Sequence, residues 1–354
     1  MNNNHFYKDK PLFGMDISGE SIKVMQIAYF DGSSTVIGYG VTPFNSNAVV
    51  DGVITDFESV ATSAKKLFSD NLIGTISTRR VVMTIPAART YTRTMSLPKL
   101  AKKDLNEAVR LEAEQYIPMP LGELYMDYSI FKTTADSYEL LAVAVPKKIV
   151  DSYHALSRIL GLEVIAIEPT INAAARLFTH SEASDVPTIL VDLGATSSDI
   201  TVYDKDLLVT GTVPGGGESF TQTIARALKV THQEAYIIKT KYGLGVSKKQ
   251  AEITESLQPV LDLLLKELRR SIRYYEERST GAEHKIGQIV SMGSGASMPG
   301  LSDYMTSHLR LPVRLCDPWY KLKFADLQPP NRAEKSMYAT VAGLALTTPR
   351  EVYS

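Results

Sequence analysis

One cysteine, Cys316, stands in 354 residues. That excludes an internal disulfide framework and any metal site built on several thiolates, and it fits a reducing compartment with Cys316 in ordinary packing. Histidine is sparse as well: the six residues show no metal-ligand spacing, so a histidine-based metal centre is not expected. Neither sign of charge dominates. The formal net charge is -1 and the basic pairs Arg79-Arg80, Lys147-Lys148 and Arg269-Arg270 are scattered, which leaves no broad field to attract a nucleic-acid backbone. No apolar run approaches the ~18 residues of a spanning helix. The opening MNNNHFYKDK lacks the apolar region of a signal peptide, and the closing TTPREVYS is too short and polar for an amphipathic anchor. The expectation is a soluble, cytosolic chain that meets a membrane only through a partner.

With 44% hydrophobic and 22% charged residues, the chain is long enough for two cores. From Leu12 onward, LFGMDIS, SIKVMQIAYF and STVIGYGVT read as a three-strand meander broken by Ser-Gly and Asp-Gly turns. Helical spacing follows over 56–70, then RVVMTIP at 80–86 reads as a buried strand stopped by Pro86. The same plan restarts near Pro187, where PTILVDLGATSSDITVYDKDLLVTGTVPGGG again gives strand, small-residue turn, strand, turn, strand. An Asp ends the first apolar strand in each half, Asp16 and Asp192. This repetition predicts a duplicated, two-lobed α/β fold. Residues 81–150 look like an insert: extended TYTRTMSLP, a helix of about eighteen residues from Lys99 to Tyr116, and strands LYMDYSIFKT and SYELLAVAVP. In the second half, THQEAYIIKTKYG reads as a short helix and 252–278 as a long amphipathic one.

Two small-residue hairpin turns facing one cleft offer backbone N–H groups to a polyphosphate, and two carboxylates to the metal that would neutralise it. Asp16 and Asp192 are therefore the Mg²⁺ candidates, through waters because Mg²⁺ dehydrates reluctantly. Gly19, Ser21, Gly194, Ala195, Thr196 and Ser197 would form the cradle, with Lys23 approaching the phosphates. In the strand-to-helix segment VSMGSGASMPGLSDYM, Gly293, Ser294, Gly295 and Ser297 would let the backbone approach a flat base. Gly215, Gly216 and Gly217 in PGGGESF open a helix whose N–H groups could meet ribose or phosphate. Glu168, in IEPTINAAAR, is the candidate for orienting an attacking water, with Asn172 second; the competing role for Glu168 is capping the following helix.

Paired Asp hairpins, the GSGAS loop and the small-residue helix SMYATVAGLAL at 336–346 together resemble the actin, Hsp70 and sugar-kinase fold. Within it, EAEQYIP at 112–118 followed by MDY at 126–128, and the stretch AVAVPKKIVDSYHALSRILGLEVIAIEPTINAAARLF, closely resemble the PilM family of type IV pilus assembly proteins. The resemblance implies an FtsA-like, ribonuclease H-like ATPase fold: lobe 1A at 11–80 with 151–182 and 333–350, an inserted 1C domain at 81–150, lobe 2A at 183–230 with 285–332, and subdomain 2B at 231–284. It also implies that ATP or ADP binds with Mg²⁺, that hydrolysis is slow at most, and that Lys239 lines the nucleotide. Here Tyr236 stands where FtsA-like proteins carry an acidic residue, and Ile17-Ser18-Gly19 departs from the usual Gly directly after D-x. The implied partner is the cytoplasmic N-terminal peptide of a PilN-like membrane protein, docked beside the insert in a nucleotide-dependent manner. Pilus motor ATPases, a platform protein and self-association are further expectations, and the place of work would be the inner face of the cytoplasmic membrane. The alternatives on the same fold are a small-molecule kinase and an FtsA-like filament former.

Overall fold

The computed structural model describes residues 10–18, 20–30, 32–181, 186–278, 285–331 and 334–348. The chain begins with an antiparallel meander, β1 (Phe13–Ser18), β2 (Ser21–Phe30) and β3 (Ser33–Pro43). A small ribbon, β4 (Val49–Val50) and β5 (Val53–Ile54), leads to α1 (Phe57–Asp70). That helix starts where it does because the Asp56 carboxylate accepts the Ser59 N–H at 3.0 Å, and it buries Val60, Ala61, Ala64 and Leu67. After β6 (Leu72–Gly74), β7 (Arg80–Ile85) runs parallel to β1 with every residue buried, as a strand covered on both faces must be.

The insert follows: β8 (Tyr91–Pro98), α2 (Lys102–Glu114), β9 (Leu124–Thr133) and β10 (Ser137–Pro146), the strands ordered β8-β10-β9. Its own small core joins Leu97, Leu105, Val109, Leu140 and Ala142. The helix is shorter at both ends than the expected Lys99–Tyr116. The Lys99 N–H is taken by the Asp136 carbonyl across the sheet, and Pro118 biases Ile117 away from helical geometry. The chain then returns to the first lobe through α3 (Lys147–Leu160), β11 (Glu163–Pro169) and α4 (Thr170–Ser181).

The second lobe repeats the meander as β12 (Thr188–Leu193), β13 (Ser197–Asp204) and β14 (Asp206–Pro214), followed by α5 (Gly217–Leu228), α6 (His232–Lys241) and α7 (Gln250–Arg278). It closes with β15 (Gln288–Met292), α8 (Leu301–Leu309) and β16 (Val313–Leu315); β17 (Leu322–Lys323) and α9 (Ala339–Ala345) return to the first lobe. The first sheet is ordered β11-β7-β1-β2-β3-β17, with β6 also on β3, and the second β14-β13-β12-β15-β16. In both, the meander gains two parallel strands on the side of its first strand, which is the duplicated architecture expected of an actin-like fold.

Two helices hold the lobes together. α4 and α9 pack on each other; α9 lies on β1, and α4 on β7 and β11 of the first lobe and on β12 and β13 of the second. One apolar cluster joins Met25, Val36 and Tyr39 of the first lobe to Leu190, Val290 and Met292 of the second through Phe178 and Val341. The helix expected over 336–346 is a 3₁₀ turn at Lys335–Tyr338 followed by α9. Among the described residues no helix is long and apolar enough to cross a membrane.

At the α4–α9 crossing a Cβ on Gly343 would overlap the Ala173 carbonyl oxygen. Gly343→Ala should therefore push the helices apart and destabilise the chain by about 1–3 kcal/mol, the usual cost of overpacking. A shift of the urea midpoint toward lower concentration is the expected result; an unchanged midpoint would mean the crossing is looser than its geometry.

Candidate functional site

The two hairpins carry their acidic residues in equivalent places and differ in what faces them. In the first, Asp16 on β1 pairs across the strands with Lys23 on β2, and the Lys23 ammonium lies 3.1 Å from Asp16 Oδ2 with both side chains almost wholly buried. In the second, Asp192 on β12 pairs with Asp199 on β13. A salt bridge in one lobe is thus replaced by two like charges in the other. Hydroxyls hold all three carboxylates. Ser18 and Thr84 donate to Asp16 at 2.7 and 2.9 Å, Thr340 to Asp192 at 3.3 Å, and Thr170 and Thr212 to the two oxygens of Asp199 at 3.1 and 2.7 Å.

The carboxylates sense one another across the cleft. Burial, then the charges of Asp199 and Asp16, push the Asp192 carboxyl up to about 7, against the opposing influence of Lys23 and the Thr340 hydroxyl. Asp199 is also raised, by burial, while its hydroxyl donors work against the shift. Asp16 and Asp192, the residues singled out by their strand ends, are therefore brought together from opposite lobes. Among the described residues no three His, Cys, Asp or Glu groups converge closely enough to hold a metal ion directly. Hydroxyl-oriented carboxylates with unbalanced negative charge are a donor set that suits a hard dication bound through its waters.

Around this pair three loops meet at backbone distance. The Gly217 and Glu218 N–H groups bond the Gly194 and Ala195 carbonyls at 2.8 and 2.9 Å, Gly215 N–H bonds Thr196 at 3.0 Å, and Gly295 N–H bonds Leu193 at 2.8 Å. A Cβ on Gly216 would run into the Gly194 carbonyl, so only glycine lets the 194–197 turn and the start of α5 touch. Lys239 on α6 reaches back to the Gly217 carbonyl at 2.9 Å; burial lowers its pKa, with Glu218 opposing. Ser297 bonds the Ser294 carbonyl at 3.2 Å and shapes the 293–297 loop. Thr196 and Ser294 are exposed on their turns, and Ser21 opens β2 opposite Ser18. Gly19 lies outside the described residues.

Glu168 is placed differently from either expectation. Both of its oxygens are engaged by Arg176 at 2.7 and 2.8 Å, and Arg176 also donates to the Gly343 carbonyl at 3.1 Å. Both oxygens are committed to Arg176 rather than to a cap or a water, and Arg176 in turn ties α4 to α9. Asn172 Oδ1 is buried and finds no hydrogen-bond partner among the described residues. The residues that sequence reasoning missed are Asp199 and the threonines 84, 170, 212 and 340. Asp199 had a signal: it is as far after the Ala195-Thr196 turn as Asp192 is before it, so the hairpin must pair them. Thr84, Thr170 and Thr340 come from distant segments, and no local pattern marks them.

The raised Asp192 has a consequence for stability. With a folded pKa of about 7 against 3.8 unfolded, the native state binds more protons between these values, so stability should fall as pH rises from about 4 to about 7. Thermal melts in a chelator should show a lower melting temperature at pH 8 than at pH 5.5, and Asp192→Asn should flatten the slope. An equal slope in both proteins would contradict the assignment.

The whole chain can be compared with known proteins. A family model described as type IV pilus assembly protein PilM matches residues 14–349. The cell division protein FtsA of Enterococcus faecalis is 22% identical over 348 residues, covering 86% of this chain and 78% of the relative. FtsA of Pseudomonas aeruginosa is 24% identical over 378 residues, covering 95% and 89%. Among solved structures, the PilM-PilN type IV pilus biogenesis complex superposes with a TM-score of 0.82 at 22% identity, covering 95% of this chain and 98% of that one. MreB5 of Spiroplasma citri bound to AMPPNP superposes at 0.54 with 14% identity, covering 95% of each. Two Asp hairpins closing one cleft, a three-stranded insert after β7 and a family match over nearly the full length lead to one statement: this chain belongs to the PilM family of type IV pilus assembly proteins.

Proposed function

We propose that this chain is an ATP-binding adaptor of type IV pilus assembly, which binds Mg²⁺-ATP or ADP between its lobes and docks the cytoplasmic N-terminal peptide of a PilN-like inner-membrane protein. The observation that carries the nucleotide reading is the approach of Asp16 and Asp192 from opposite lobes, where burial and the charges of Asp199 and Asp16 raise Asp192. Mg²⁺ held through waters by these two residues would supply the positive charge that phosphates require. In this reading the turn at 194–197 would face the phosphates, and the 293–297 loop and Lys239 would line the nucleoside; the N–H groups of Gly215, Gly217 and Glu218 are spent on the Thr196, Gly194 and Ala195 carbonyls, so the glycines before α5 hold the turn rather than meet the ligand as the sequence suggested. Glu168 is committed to Arg176 through both oxygens, and Asp199 to Thr170 and Thr212 through both of its own, so neither is free to orient a water and hydrolysis is expected to be slow.

The docking reading rests on family membership and on a groove of the right kind. A cavity of about 310 Å³ opens between the insert and the body, lined by Ala87, Ala88, Tyr91, Arg93, Tyr116 and Ile171, with Gly211 and Thr212 of β14 on its far wall. Tyr116 belongs to the EAEQYIP segment, and the Arg93 guanidinium lies over its ring at 4.6 Å. β8 is an edge strand of the insert, so an extended peptide could find unpaired backbone groups and an aromatic wall together. The solved relative in complex with PilN supports the choice of partner. Membrane attachment at the inner face would follow from that partner, and contacts with pilus motors, a platform protein or a second copy would be added to it.

Fluorescence anisotropy with a labelled N-terminal peptide from the source organism's PilN-like protein tests the docking site. Tyr116→Ala should weaken peptide binding about tenfold, in the range of a buried aromatic anchor, while leaving ATP affinity alone. Unchanged peptide affinity would remove the groove from the reading.

A further inference from the structure

Resting on that reading of the cleft and the groove, we propose that β14 couples the two, with Thr212 joining it to the nucleotide cleft and Thr94 joining it to the insert. β14 is the outermost strand of the second sheet and β8 the outermost of the insert. The two edges face each other, and the Thr94 hydroxyl on β8 donates to the Leu208 carbonyl on β14 at 3.1 Å. Thr94 and Leu208 line a second cavity of about 310 Å³ together with Leu141, Ile200 and Tyr274, and this cavity shares Thr92, Arg93, Gly211 and Thr212 with the groove already described. Through the Thr94–Leu208 hydrogen bond the insert leans against the second lobe.

The other end of the link is in the cleft. Asp192, Asp199 and Thr212 are cross-strand partners on β12, β13 and β14, a straight row spanning roughly 10 Å at ordinary strand spacing. Thr212 donates to Asp199 Oδ1 at 2.7 Å and lines both cavities. The second oxygen of Asp199 accepts from Thr170 on α4 of the first lobe at 3.1 Å. Any ligand that draws Asp192 and Asp199 toward a cation must adjust the Thr212 hydroxyl. β14, paired to β13 from Pro214 back to Val209 and bulged at Leu208, carries that adjustment to the bulge, where Thr94 receives it at the Leu208 carbonyl. Peptide pressing on Gly211 and Thr212 acts on the same strand from the other side. Coupling is reciprocal, so nucleotide must change peptide affinity by the factor by which peptide changes nucleotide affinity.

Thr94→Val keeps the shape and removes the donor, and Thr94 touches neither the cleft nor the peptide groove. Two readouts separate this inference from the reading beneath it. The first is the ratio of peptide affinities with and without Mg²⁺-ATP, using the labelled PilN-like peptide. The wild type should show a ratio of about threefold or more, and Thr94→Val should bring it close to one with peptide affinity in the absence of nucleotide unchanged. The second needs no peptide: hydrogen exchange in 91–98 should respond to Mg²⁺-ATP in the wild type and lose that response in Thr94→Val, while the response of 188–204 persists in both. A Thr94→Val protein with wild-type ratio and wild-type response in 91–98 overturns the link and leaves nucleotide and peptide binding standing. No response to Mg²⁺-ATP anywhere in the wild type overturns the nucleotide reading, and the link with it.

Discussion

Three carboxylates from two lobes crowd one cleft, and the ammonium of Lys23 is set against them. Most of what is unusual around the cleft is a response to that crowding. Hydroxyls from β7, α4, α9 and β14 approach the acids, since a buried carboxylate without donors is costly. Asp192 retains its proton far above the usual carboxylate range. Asp16 comes from one lobe and Asp192 and Asp199 from the other, so the charge state of the cleft depends on how the lobes meet, with Lys23 opposing the effect of Asp16 on Asp192.

Duplication explains how the chain arrives at this arrangement. Each lobe builds the same meander and extends it on the same side, so each delivers a strand-ending Asp to the same relative place. The residue seven positions later decides the character of the half-site: Lys23 makes the first hairpin a neutral pair, and Asp199 makes the second a like-charge pair. α4 and α9 then fix how the lobes meet, clamped by Arg176 between Glu168 and the Gly343 carbonyl. The insert leaves the first lobe after β7 and comes to lie against β14 of the second, so it touches both halves.

Sequence made the hairpins, the insert strands and the long helix α7 legible because period and turn residues are local. LYMDYSIFKT and SYELLAVAVP coincide with β9 and β10. The hydroxyl shell was illegible for the opposite reason, since Thr84, Thr170, Thr212 and Thr340 meet the acids only after the strands and helices have assembled. Glu168 misled because a carboxylate after a strand resembles a catalytic or capping group, and its partner Arg176 is two helical turns away on a face no linear pattern marks. The EAEQYIP segment divides between two roles: Ile117 is buried in the junction of α2 with β9 and β10, whereas Tyr116 turns to the groove.

The central claim is that the facing Asp hairpins form a site for a nucleotide with its cation. Calorimetric titration of ATP into the purified chain, in Mg²⁺ and again in a chelator, addresses it most directly. The account predicts saturable one-to-one binding in Mg²⁺ that weakens at least tenfold when the cation is removed. Binding of equal strength without Mg²⁺, or none in its presence, would contradict it.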